Sequence, residues 1–80
     1  MNTLNDLRPH ETGIVTEIQL EGLMKHRLIE LGITTGAKIT MLRTAPLGDP
    51  VEYSILGYNL GLRRSQAKKI LIERIGAEND

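Results

Sequence analysis

Eighty residues and 8.9 kDa are the length of one small domain, too short to divide into two. Ten basic and ten acidic side chains cancel, so no net field draws the chain to nucleic acid or an anionic membrane. The absence of cysteine excludes a disulfide scaffold, a thiolate zinc site, an iron–sulfur cluster and a Cys nucleophile.

With no Phe, no Trp and two Tyr, the core has to be aliphatic. The longest strictly apolar run is Ile70-Leu71-Ile72, far short of the roughly 20 residues that span a bilayer. Asp6, Arg8, His10 and Glu11 stand where a signal peptide needs an apolar stretch. The expectation is a cytoplasmic single domain over residues 1–80, its core within 7–74, with no direct membrane insertion and no nucleic-acid partner.

Eight glycines and three prolines cut the chain into short segments, the spacing of strands and turns. The first predicted strand is Ile14 to Leu20, with Ile14, Ile18 and Leu20 on one face and Glu17 and Gln19 on the other. From Leu23 to Leu31 the period changes. Met24, Leu28 and Leu31 make one helical stripe flanked by Leu23 and Ile29, with His26, Arg27 and Glu30 opposite. Gly32 is placed to end that helix as a C-terminal cap. Lys38 to Thr44 is the second strand, with Ile39 and Met41 sharing a face. Val51 to Leu56 is the third, with Val51, Tyr53 and Ile55 on one face and Glu52 and Ser54 on the other. Tyr58, Leu60 and Leu62 alternate with Asn59, Gly61 and Arg63 in a fourth, and Ile70 to Arg74 forms a fifth. About five strands, with one short helix between the first and second, predict a mostly β, small SH3-like β-barrel. An open α+β sheet is the alternative.

Chemistry-bearing patterns are sparse. His26 and Glu30 lie one helical turn apart and could share an ion. Tight sites recruit three or four ligands, and an ordinary i,i+4 polar pair explains them better. No metal ligand is therefore assigned and no cofactor is called for, with Fe²⁺ or another transition metal kept as an alternative. His10 sits in a proline turn. No phosphate loop, dinucleotide fingerprint or nucleophile–base constellation is present, so no enzyme is predicted. Arg63-Arg64 with Lys68-Lys69 is the one basic cluster. It reads as a solvated turn between the last two strands, since no aromatic residue offers a stacking platform. The most unusual segment is Pro46-Leu47-Gly48-Asp49-Pro50. Two prolines stiffen it and Gly48 permits a turn. Leu47 near its tip either meets a partner or folds back to cap one end of the barrel.

Three ordered motifs carry a resemblance over about residues 7–74. Arg27-Leu28-Ile29-Glu30-Leu31-Gly32-Ile33 with Gly36 resembles the "RLxELGxxxG" segment of the ferrous iron transport protein A (FeoA) family. Ala45-Pro46-Leu47-Gly48-Asp49-Pro50 resembles its "APLGDP" loop. Gly57-Tyr58, Leu60, Leu62-Arg63-Arg64 and Ala67 resemble its "GYxLxLRxxEA" segment. Four positions depart from that pattern: His10 stands where glycine is common, Thr35 where proline is frequent, and Gly61 and Gln66 replace Ala and Glu.

The resemblance implies an SH3-like fold related to the C-terminal domain of DtxR-type iron-dependent repressors. It implies an accessory or regulatory protein of ferrous iron uptake, a protein–protein interaction module acting on the cytosolic side of the FeoB membrane iron transporter. The alternatives are a metal-sensing or regulatory domain, or an activator of the transporter's GTPase through Arg63 or Arg64. On the first reading the contact residues are Leu47, Gly48 and Asp49 of the loop, His26, Arg27 and Glu30 of the outer helix face, and Arg63 and Arg64. Self-association is left open.

Overall fold

The computed structural model describes residues 2–75. Met1 and residues 76–80, which the predicted domain includes, lie outside the described residues. The elements run β1 (Asn2–Thr3), a 3-10 helix (Leu4–Asp6), β2 (Thr12–Ile18), α1 (Gly22–Glu30), β3 (Lys38–Thr44) and β4 (Val51–Ile55). They continue with β5 (Tyr58–Leu62), α2 (Arg64–Ala67) and β6 (Ile70–Ile75). One antiparallel sheet has the order β1-β6-β2-β3-β4-β5.

Two expectations are corrected. There are six strands among the described residues, not five, because β1 pairs Asn2 with Ile72 and Thr3 with Leu71. A two-residue strand carries no periodicity, so sequence reading passes over it. The sheet is also open: no ladder joins its edges β1 and β5 among the described residues, so it is not a closed barrel. The 3-10 helix packs against α2 and β6. Near β5, the Tyr58 hydroxyl donates to the Leu31 carbonyl at the end of α1.

The core is aliphatic, as composition requires, with Tyr53 its one aromatic member. Val51, Tyr53 and Ile55 point inward from β4, and Ile39 and Met41 from β3, both as their alternation predicts. β2 departs from its predicted face. Its register shifts between Val15 and Glu17, and such a bulge moves the alternation by one residue. Val15 is therefore buried, while Ile14 lies half-buried opposite Lys38 and Glu73. Beyond the bulge, Ile18 and Leu20 return to pack on the core. The N-terminal segment adds Leu4 and Leu7, so the core begins before the predicted residue 7.

Helix α1 follows its predicted stripe. Leu28 is buried, Leu31 packs against the core and Met24 sits at the rim. It ends as expected. Gly32, at φ 99°, donates to the Ile29 carbonyl at 3.0 Å, and Ile33 donates to the Leu28 carbonyl at 2.9 Å. These two bonds satisfy carbonyls that the last turn leaves free. β4 stops at Ile55, one residue before the predicted Leu56, because Leu56 and Gly57 both take positive φ in the hairpin turn.

The segment after β5 also differs from its expectation. Arg64–Ala67 forms one helical turn, with Ala67 fully buried, where a plain turn is predicted. Gln66 Oε1 accepts the Arg63 amide at 3.0 Å, closing the N-terminus of that turn. Gln serves this capping role as Glu does, so the Glu-to-Gln departure leaves the local structure intact.

Candidate interaction site

The segment Ala45–Pro50 forms a hairpin loop between β3 and β4. The Ala45 amide donates to the Pro50 carbonyl at 3.0 Å, and the Gly48 amide to the Ala45 carbonyl at 2.8 Å. Gly48 takes φ 91°, and the Asp49–Pro50 peptide is cis. Leu47 is 96% exposed, so of its two predicted placements it takes the outward one and caps nothing.

Arg64 organises this loop from across the molecule. Its backbone amide donates to Asp49 Oδ1 at 3.0 Å and its Nε donates to the Gly48 carbonyl at 2.6 Å. Its Nη1 donates to Asn5 Oδ1 at 2.8 Å. The guanidinium thus spends its fixed fork of donors on two acceptors of its own chain. Beside the loop, Ala45, Pro46, Pro50 and Gly61 line a shallow, mostly apolar cleft of about 310 Å³, edged by the Arg43–Glu52 ion pair.

The outer face of α1 is a second surface. His26 Nε2 and Glu30 Oε2 approach to 3.5 Å, both largely exposed. With Leu23, Met24 and Arg27 they line another shallow cleft of about 360 Å³. Leu23 is 88% exposed among these polar neighbours. The two helices touch where Gln66 Nε2 donates to Met24 Sδ at 3.1 Å. Among the described residues no group of three or more His, Cys, Asp or Glu is gathered that could hold a metal ion. None of their helices is long and apolar enough to cross a membrane.

The structure therefore brings Gly48, Asp49 and Arg64 into one hydrogen-bonded cluster. It sets His26, Arg27 and Glu30 together on α1, and leaves Arg63 exposed at the start of α2. Sequence reading misses Asn5, the anchor 59 positions from Arg64. No local pattern links residues so far apart.

Among the described residues, six antiparallel strands, a short α1 and two single helical turns define a small SH3-like domain. A FeoA domain family model matches residues 2–74, and the chain belongs to the FeoA family. It is 36% identical over 74 residues to a Porphyromonas gingivalis Fe(2+) transport protein A/Fe(2+) transporter FeoB fusion protein. That match takes in 92% of this chain but only 9% of the fusion protein. The FeoA protein of Chlorobium tepidum shares the fold at TM-score 0.89 and 35% identity, over 96% of this chain and 73% of that one. A Stenotrophomonas maltophilia FeoA complexed with zinc matches at TM-score 0.79 and 28% identity, over 91% of each chain. It is described as a prokaryotic SH3 domain protein and a candidate ferrous iron transport activating factor. The fold extends beyond the family: a manganese-dependent transcriptional repressor matches over 36% of its chain at TM-score 0.83 and 20% identity.

Proposed function

We propose that this protein is an accessory, regulatory module of ferrous iron uptake that docks on the cytosolic side of a FeoB-type membrane iron transporter. The observation that carries the reading is the relative in which Fe(2+) transport protein A and the transporter form one chain. Covalent linkage keeps two modules at an effective concentration of about millimolar, which is useful where they work in contact.

Leu47, with Gly48 and Asp49, is the contact favoured by geometry. An aliphatic side chain held outward on a stiff loop can be buried by a partner at small entropic cost. The α1 face of His26, Arg27 and Glu30 is the second contact, with Arg63 beside α2. A titration of the isotopically labelled protein with the detergent-solubilised transporter of the same cell tests the reading. Amide signals of the loop or of α1 shift or broaden if it is right. A spectrum unchanged at saturating transporter refutes it.

A further inference from the structure

We propose that Arg64 is a positioning residue for docking, which holds the exposed Leu47 in its binding geometry and ties it to the N-terminal 3-10 helix. The inference rests on the docking reading above but makes its own claim about a different residue. Three contacts carry it. The Arg64 amide and Nε hold Asp49 and Gly48, the two residues that follow Leu47, at 3.0 and 2.6 Å. Nη1 holds Asn5 at 2.8 Å. Asn5 is itself fixed, because its neighbour Leu4 is fully buried and the Thr3 amide donates to Asp6 Oδ2 at 2.8 Å.

The chain of contacts runs from core to tip. Leu4 anchors the 3-10 helix, Asn5 anchors the guanidinium, and the guanidinium anchors the backbone beneath Leu47. Without it, the Gly48 carbonyl loses its tie to the body of the protein, and the loop keeps only the Arg64 amide on Asp49 and the turn bond from the Gly48 amide to Ala45. Leu47 then samples several positions and must be ordered during binding. Lysine cannot substitute, because a single ammonium lacks the fork that reaches Gly48 and Asn5 together. Arg64 therefore acts through Leu47 and not by touching the partner.

The test measures loop relaxation and transporter affinity together in the full chain. Arg64→Ala, Arg64→Lys and Asn5→Ala are expected to keep the sheet's amide spectrum while raising nanosecond mobility at the Leu47 and Gly48 amides. Each is expected to weaken transporter binding, by about tenfold for Arg64→Ala. Leu47→Asp is expected to abolish binding with the loop as rigid as before. A loop as rigid in Arg64→Ala as in the wild type overturns the inference, as does a mobile loop that binds with wild-type affinity. Should Arg64→Ala disturb the fold, Asn5→Ala decides by the same two readouts. Absence of any wild-type binding refutes the docking reading and this role with it, while relaxation still reports whether Arg64 holds the loop.

Discussion

The Tyr53 hydroxyl donates to the Leu4 carbonyl at 3.1 Å, joining the centre of β4 to the N-terminal 3-10 helix. Both residues are buried, with Tyr53 at 1% exposure and Leu4 at 0%. Burial pushes the Tyr53 phenol up to about 12, and nearby Arg64 opposes this only in part. The folded state therefore keeps the proton after the unfolded chain has begun to release it near pH 10. The contribution of Tyr53 is complete below pH 10 and is lost through the window from 10 to 12, at a slope of up to about 1.4 kcal/mol per pH unit. Tyr53→Phe should lose about 1 kcal/mol at neutral pH with the hydrogen bond. It should also flatten that alkaline limb relative to the wild type. Urea unfolding of both proteins at several pH values checks this, and parallel pH profiles would contradict it.

Gly32 is the position where a side chain would do most harm at the end of α1. It combines φ 99° with a close neighbour, since an added Cβ would lie 2.6 Å from Leu56 Cδ1. Gly32→Ala should cost about 2 kcal/mol from the left-handed backbone and the displaced leucine. At about 4–8 °C per kcal/mol for a domain of this size, the midpoint should drop by roughly 10 °C in a thermal melt.

His10 carries the opposite expectation. It takes φ 73° while its amide donates to the Met41 carbonyl at 2.7 Å. A non-glycine residue in this region costs roughly 1 kcal/mol. Glycine removes that strain but adds about 0.5 kcal/mol of unfolded-chain entropy. His10→Gly should therefore raise stability by up to about 0.5 kcal/mol. A chemical denaturation midpoint that moves down would count against this account of the turn.

Leu47 is a surface residue with no packing role. Leu47→Asp should change stability by less than about 0.5 kcal/mol. The same variant should lose transporter binding. Affinity unchanged in a folded Leu47→Asp protein would remove the loop from the interface and leave the α1 face as the contact.

Wherever neighbours in sequence share one environment, the reading from residues alone holds. Lys38–Thr44 matches its predicted strand, Tyr58–Leu62 ends one residue before its predicted Arg63, and Gly32 ends α1 through its predicted cap. The FeoA motifs are local too, and the family they indicate is the family to which the chain belongs. β2 shows where that reading stops. Alternation places Ile14 inward, but the bulge at Val15/Glu17 puts Val15 there, and a bulge leaves no mark in an apolar–polar pattern.

The sequence by itself determined the aliphatic core, the α1 stripe, four of the six strands among the described residues to within a residue and the turn at Pro46–Pro50. Each follows from side-chain periodicity or from backbone restrictions at Gly and Pro, which act within a few residues. Tertiary structure alone decided that the sheet stays open, that Leu4 belongs to the core, and that Leu47 points outward. It also decided that Arg64 faces Gly48 and Asn5, at separations of 16 and 59 positions. Such contacts depend on where the whole sheet carries its loops, and side-chain hydrogen bonds across that distance have no period to read.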